Sequence, residues 1–189
     1  MFKKLRQMKK ITLLLALIIG VSTYAQDEEV SAVDKKHEVK LGGIKLLAGA
    51  IAEGTYEYVQ SKDFSFGASV LYNFDQDNDY PEDFSITPFA RFYFQESKEY
   101  GAKGFFVEGF GKYVMGHSNE TTYDPNAGYS YSRKEDFNVG AVGLALGKKW
   151  INKSGFVLEL LVGAGRTLGG NEYAPDAFFR GDLNIGYRF

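Results

Sequence analysis

The sequence has no cysteine, and among its 189 residues it has only one tryptophan, two histidines, three methionines and four prolines. Without cysteine, neither a disulfide framework nor a thiolate metal site is possible. The longest apolar run, from Ile11 to Val21, is shorter than the roughly 20 residues that a membrane-spanning helix needs. The sequence therefore argues against a disulfide-stapled domain and against a helical membrane protein.

The first 25 residues have the three parts of a secretory signal peptide. Five basic residues come first, an apolar stretch follows, and small residues lead to Ala25. Met8 is an alternative start, because "MKKITLLLALIIG" is a complete signal by itself. We expect residues 1–25 to be removed, residues 26–37 to form a short N-terminal segment, and residues 38–189 to form one folded domain.

The charge of the exported chain is acidic. The expected signal peptide holds five of the 22 basic residues and none of the 24 acidic ones, so the mature chain would carry about −7. A nucleic-acid-binding domain needs a basic stripe, and no such stripe is present. We therefore expect no nucleic-acid partner.

Most of the remaining chain alternates apolar and polar residues with a period of two. In "DFSFGASVLYNF" (63–74), Phe64, Phe66 and Val70 share one face, and Ser65 and Ser69 share the other. Alternation over this length predicts a strand and argues against a helix. The pattern predicts eight strands of roughly 9–13 residues. They lie near 38–50, 54–61, 63–74, 83–94, 104–116, 136–150, 155–165 and 177–189.

Two of these strands alternate less regularly. Between 38 and 50 the apolar residues change parity after Leu41, and a β-bulge at Gly42–Gly43 would restore the pattern. Between 136 and 150, Phe137 and Val139 are out of step with Val142 and the leucines that follow, so the facing of that strand stays open.

The positions of aromatics and loops distinguish a membrane barrel from a soluble one. Phe64 and Phe66 begin their strand and Tyr72 and Phe74 end it, with smaller residues between. Two aromatic belts around a thinner apolar band are typical of a barrel that crosses both membrane interfaces. The loops expected at the outer end, near 51–54, 75–83, 116–136 and 168–176, include the longest and most polar segment. We predict an all-β fold: an eight-stranded antiparallel up-and-down transmembrane β-barrel.

Several short motifs occur in an order that resembles a known protein family. "TYEY", "TPFARFYF", "GFFVEGFG", "GKKW", "GFVLEL", "GAGR" and the closing "GYRF" look like a bacterial family, of the Bacteroidota type, of small outer-membrane β-barrels of unknown function. The resemblance covers residues 38–189, and the architecture is similar to the barrels of outer membrane proteins A, X and W. It implies an outer-membrane location with both termini in the periplasm, and it implies no established activity.

Two groups of residues on the strands are candidate sites. The polar faces carry charged residues that would meet and pair inside a narrow barrel, because unpaired buried charges are costly. This lumen charge cluster consists of Glu57, Arg91, Glu108, Lys112, Glu159, Arg180 and Arg188, with Asp182 on the same faces or at the rim. The last strand carries Leu183, Ile185, Tyr187 and Phe189 on its apolar face. This ending resembles the signal by which barrel-assembly machinery recognises its clients.

Two places in the sequence resemble a catalytic or metal-binding site, and each departs from the pattern that such a site requires. His117 and Ser118 resemble part of the His-Ser-Glu arrangement of outer-membrane lipid A deacylases, but that family spaces the two by one residue, whereas adjacent residues on a strand point to opposite faces. Asp75, Asp77 and Asp79 resemble a calcium loop, but Tyr80 stands where that loop requires glycine. We expect no catalytic residue, no metal and no cofactor.

The sequence thus predicts an integral outer-membrane barrel with a structural or surface-interaction role and no catalysis. A narrow, low-conductance channel is the second hypothesis, and a lipid A-modifying esterase is the third. The expected partners are outer-membrane lipid, lipopolysaccharide, the barrel-assembly machinery and periplasmic chaperones, with the barrel itself a monomer.

Overall fold

The computed structural model describes residues 35–75, 80–94, 101–124, 128–170 and 173–189. Within them, eight antiparallel strands form one closed barrel, in which successive strands pair and the last pairs with the first. The strands are β1 (His37–Gly42), β2 (Ile51–Val59), β3 (Phe64–Asn73), β4 (Glu82–Phe94), β5 (Gly104–Asp124), β6 (Tyr129–Ile151), β7 (Phe156–Leu168) and β8 (Ala177–Arg188). A short helix, α1 (Ile44–Gly49), lies between β1 and β2.

The predicted eight-stranded antiparallel all-β barrel is confirmed. The predicted signal peptide and most of the segment from 26 to 37 lie outside the described residues, as does much of the acidic loop at 75–83. No helix in the described part of the chain is long and apolar enough to cross a membrane.

The wall of the barrel turns apolar side chains outwards and charged side chains inwards. Phe66, Val70 and Leu144 are 45–68% exposed, whereas Glu57 and Glu108 are completely buried. In a soluble β-barrel the period-two alternation has the opposite sense, with the apolar face inside. Strand β6 follows the same rule, because Phe137 and Val139 are interior residues and Val142, Leu144 and Leu146 are exterior. The facing that the sequence left open is thereby settled.

The strand and bulge predicted for 38–50 are wrong beyond residue 42. Strand β1 ends at Gly42, α1 occupies 44–49, and β2 begins at Ile51, so the loop expected at 51–54 is part of β2. At Gly42–Gly43 the apolar residues change from the two-residue period of a strand to the period of a helix, since Ile44, Leu47 and Ala48 recur at helical spacing. Ala50 ends the helix in a left-handed conformation, with φ of 54°.

The loop predicted at 116–136 is instead the far half of a long hairpin. Residues 117–124 pair one by one with 129–136. Strand β4 pairs with β5 only as far as Gly116, and β7 pairs with β6 only from Gly140. The hairpin therefore extends roughly 25 Å beyond β4, at about 3.3 Å a residue, and still further beyond β7. The sequence predicts a loop here because both faces of this segment are polar, which removes the alternation that identifies a half-buried strand.

Interior aromatic rings fill the barrel by packing against glycines in the wall. A Cβ on Gly147 would lie 2.3 Å from the ring of Phe106, and a Cβ on Gly143 would lie 2.5 Å from the ring of Phe110. The missing side chains leave the space that the rings occupy. The same rings join a cluster of buried residues: Val59, Phe89, Tyr93, Ala102, Phe106, Phe110, Ala145 and Leu161.

Candidate functional site

Seven of the eight strands, together with α1, send charged side chains into one connected set of ion pairs, which we call the charge network. The inward positions of a strand recur every second residue, so each strand can contribute one or two of them. The carboxylates are Glu38, Glu53, Glu57, Glu108 and Glu159, and the cations are Lys40, Lys45, Arg91, Lys149, Arg180 and Arg188. Charges of the two signs nearly balance, as burial in a narrow barrel requires.

Glu57, on β2, lies at the centre of the charge network. Its carboxylate accepts hydrogen bonds from Lys40, from Arg91 at 2.6 Å and from Lys149 at 2.7 Å. The hydroxyls of Ser65 and Tyr93 donate to its Oε1 at 2.6 and 2.7 Å. Five donors from five other positions therefore converge on one buried carboxylate, which fixes the strands that carry them relative to β2.

Arg91 links three carboxylates. Its Nε donates to Glu108 at 2.6 Å, and its Nη1 donates to Glu57 at 2.6 Å and to Glu159 at 2.8 Å. The guanidinium also lies over the rings of Phe89 and Phe106, at 4.3 and 4.5 Å from their centroids. Ion pairs and cation–π contacts thus fill the middle of the barrel together, and the fork geometry of arginine suits this arrangement.

The network continues from Glu108 towards α1. Arg180 on β8 donates to Glu108 through Nε at 2.5 Å and to Glu53 on β2 through Nη1 at 3.2 Å. Glu53 in turn pairs with Lys45 of α1. Ion pairs therefore connect β8, β2 and α1 at the place where these three elements meet.

The end of the barrel that carries His37 and Phe189 is filled by a chain segment. Ala102, in the connection between β4 and β5, is fully buried with φ of 51°. Its amide donates to the carbonyl of Lys62 at 2.7 Å, and the guanidinium of Arg188 donates to the carbonyls of Gly101 and Ala102 at 2.8 and 3.2 Å. Arg188 also pairs with Glu38. The connection at 95–103, long for a turn at this end, thus places its last residues inside the barrel mouth.

Six of the seven charged residues that the sequence singled out lie in the charge network: Glu57, Arg91, Glu108, Glu159, Arg180 and Arg188. The seventh, Lys112, forms a separate pair with Glu82 at 2.5 Å, nearer the hairpin end of the barrel. The sequence reasoning missed Glu38, Lys40, Lys45, Glu53 and Lys149. Glu38 and Lys40 alternate with Val39 and Leu41, so the parity was a usable signal there.

The last strand carries its predicted residues on the outer side. Ile185 and Phe189 are exposed by more than half, and Leu183 and Tyr187 are partly buried. Phe189 is held by its backbone, since it exchanges hydrogen bonds with His37 at 2.8 and 3.1 Å. Its ring stacks on the His37 imidazole with centroids 5.9 Å apart. Asp182 and Arg188 both point inwards and are buried.

His117 does not form a Ser-His pair. Its Nδ1 lies 2.9 Å from Asp83 Oδ2, and no hydrogen bond joins it to Ser118 among the described residues. Beyond the strands, Tyr80 donates to Glu82 at 3.4 Å, and burial together with the Glu82 carboxylate raises the pKa of this phenol well above its ordinary value. Within the described ranges, no group of three or more His, Asp or Glu residues is placed to hold a metal ion. Comparisons with protein-family models, with curated proteins and with solved structures find no match for this chain.

Proposed function

We propose that this chain is an integral protein of a bacterial outer membrane that crosses the bilayer as an eight-stranded β-barrel. The observation that carries the proposal is the inverted wall, in which large apolar residues face outwards and the charge network is buried. So many exposed apolar side chains around a closed barrel need a lipid environment, and closure leaves few unpaired backbone groups to face it. Membership of the small Bacteroidota-type barrel family rests on the sequence motifs alone and is part of this proposal.

The orientation follows from the connections. His37, Phe189 and the connections at 60–63 and 152–155 lie at one end, and the hairpin of β5 and β6 extends from the other. Outer-membrane barrels have short periplasmic turns and longer outer loops, so we place the termini in the periplasm and the hairpin outside the cell. The partners of this proposal are outer-membrane lipid, lipopolysaccharide, periplasmic chaperones and the barrel-assembly machinery, and the barrel functions as a monomer.

The role that the geometry supports best is structural or surface-interacting, without catalysis. The interior holds the charge network and buried aromatic rings, and Ala102 occupies one mouth. This packing argues against the narrow channel, because an ion would have to displace several buried pairs to pass. The hydrogen bond from His117 to Asp83, rather than to Ser118, argues against the esterase.

Membrane insertion is tested through the only tryptophan. Trp150 lies on the outer face of β6 and is 40% exposed. When the purified barrel is reconstituted in vesicles, brominated acyl chains should quench its fluorescence, and a water-soluble quencher should have little effect. Export and location are tested in cells by membrane fractionation and by a heat-modifiable shift on gels. A soluble periplasmic product with unquenched tryptophan would refute the proposal.

Orientation and role have their own tests. Proteinase K added to intact cells should cleave between residues 117 and 136, and protection of this segment would refute the outward placement. Planar-bilayer recording should give no conductance steps, whereas steady openings would favour the channel. Lipid A should be unchanged when His117 and Ser118 are replaced by alanine, and an altered acyl pattern would favour the esterase.

A further inference from the structure

In the described wall of the barrel, the short strand β1 joins β8 to β2 over only part of their length. Strand β1 pairs with β8 only from Glu38 to Gly42 and with β2 only from His37 to Leu41. Above that level, residues 177–182 of β8 and 51–53 of β2 face each other with no described strand between their edges. Helix α1 occupies this position, and the amide of Gly43 donates to the carbonyl of Leu183 at 2.8 Å.

A cleft of about 520 Å³ lies where α1 meets β7 and β8. This volume is in the range of small-molecule sites, which is about 300–1,000 Å³. Outward-facing apolar residues form its mouth, among them Ile44, Leu160, Val162 and Phe179. A Cβ on Gly181 would lie 2.6 Å from the Phe179 ring, so this ring folds over the wall beside the mouth. The mouth suits an apolar chain.

The inner side of the cleft has polar groups. Asp182, Lys45 and Tyr80 all line it; Asp182 is only 5% exposed, and the Tyr80 hydroxyl donates to Glu82. Asp182 Oδ1 accepts the amides of Ile44 and Leu183, each at 2.8 Å. Its Oδ2 is buried without a hydrogen-bond partner in the described structure. A buried carboxylate oxygen without a hydrogen-bond partner is costly, so a hydroxyl that donates to Oδ2 would be stabilised here.

Lys45 limits which charge a ligand group near Asp182 Oδ2 can carry. The ammonium of Lys45 is already paired with Glu53, and it lines the same cleft. A second cation would be repelled by Lys45, and an anion would be repelled by Asp182. A neutral hydroxyl avoids both repulsions and can donate to Asp182 Oδ2.

We propose that this cleft is a lateral binding site for a neutral amphiphile with a single apolar chain and a hydroxyl head group. The chain lies along the outer apolar face, and the hydroxyl enters the gap beside α1 and donates to Asp182. The proposal goes beyond the structural role, and it relies on the proposed membrane location only for the route by which the ligand arrives.

The test uses dodecan-1-ol carrying a diazirine on a carbon close to its hydroxyl, added to the purified full-length barrel in lipid nanodiscs. Photolabelling mapped by mass spectrometry should concentrate on Leu160, Val162 and Phe179. Unlabelled dodecan-1-ol should compete, and dodecane should not. Uniform labelling of the whole outer face, or equal competition by dodecane, would overturn the proposal.

Three variants make the test specific. Ala48→Phe fills the cleft and should abolish the concentrated labelling, whereas Leu47→Phe, on the same helix but outside the cleft and 83% exposed, should leave it unchanged. Asp182→Asn keeps an oxygen for the two amides and replaces the free acceptor by a donor. It should weaken competition by dodecan-1-ol about tenfold, the factor expected for one hydrogen bond to a charged acceptor. Asp182→Asn should also strengthen competition by methyl undecanoate, whose ester can accept a hydrogen bond but cannot donate one.

A heat-modifiable gel shift shows that each variant is folded before it is labelled. Labelling of Ala48→Phe at the wild-type level would overturn the proposal, as would unchanged ligand preference in Asp182→Asn. Because the labelling uses reconstituted barrels, its failure leaves the membrane location untouched. That location is decided separately by fractionation and tryptophan quenching.

Discussion

Replacing Glu57 by glutamine tests whether the charge network holds the barrel together. The change keeps the shape of the side chain and removes one buried negative charge. Glutamine Oε1 can still accept from Ser65 and Tyr93, which donate to one carboxylate oxygen. Its amide replaces the other oxygen, to which Lys40 and Arg91 donate. Two cations then face a donor instead of an acceptor, and the network has a surplus of positive charge.

The expected loss of stability depends on the other carboxylates with which each of the three cations still pairs. Lys40 keeps Glu159 at 2.6 Å, Arg91 keeps Glu108 and Glu159, and Lys149 keeps Glu38 at 2.8 Å. No cation is left alone, so the loss falls at the lower end of the roughly 3–5 kcal/mol typical of a broken buried pair. We expect the free energy of unfolding to fall by about 3 kcal/mol.

The assay is urea unfolding of the refolded barrel in detergent micelles, followed by the fluorescence of Trp150 and by the heat-modifiable gel shift. Glu135→Gln is the matched control, because Glu135 pairs at 2.7 Å with Arg133, whose side chain is 73% exposed. That change should cost less than about 1 kcal/mol. Adding Lys40→Met to Glu57→Gln should recover at least about 1 kcal/mol relative to additivity, since it removes one surplus cation. Equal costs for Glu57→Gln and Glu135→Gln, together with strict additivity, would refute the reasoning.

Two further predictions concern closure and packing. Deleting Phe189 removes the backbone hydrogen bonds that it exchanges with His37, so the fraction of chain assembled in the outer membrane should fall strongly. The control Phe74→Ala, directly after β3 and at the other end of the barrel, should assemble normally. Normal assembly of the deletion would contradict a role for Phe189 in closure. Gly143→Ala should destabilise the barrel by about 1–3 kcal/mol, because its Cβ would lie 2.3 Å from the Ala164 carbonyl oxygen and 2.5 Å from the Phe110 ring. Gly140→Ala on the same strand meets open space and should be nearly neutral in the same urea titration.

The sequence predicted the strands whose outer and inner faces differ in polarity. Strand β3, from Phe64 to Asn73, lies within one residue of the predicted 63–74, because its apolar residues except Leu71 are on the outer face. Prediction failed where that contrast is missing. The extension of the hairpin is polar on both faces, and α1 has the apolar spacing of a helix but is only six residues long.

The charge network was predictable residue by residue but not as a set of contacts. Glu57, Arg91, Glu108 and Glu159 have the right parity, and parity alone places them inside the barrel. Which of them meet depends on how far each strand is shifted against its neighbour. That shift is set by the whole ring of strand pairs, and no single strand's sequence contains it. The sequence does not predict that Ala102 lies in the barrel mouth. Its position depends on hydrogen bonds from Arg188, which is distant in the chain, to the carbonyl groups of Gly101 and Ala102.

The charge network also explains how the barrel tolerates a helix in its wall. Between β8 and β2 the usual ladder of backbone hydrogen bonds is interrupted, and such an interruption in lipid is unfavourable. At that level Arg180 of β8 pairs with Glu53 of β2, which pairs with Lys45 of α1. Asp182 holds the first amide of the helix from the other side. Side-chain ion pairs therefore join the two strands where the backbone does not, and the gap they leave is the cleft in which we place the amphiphile.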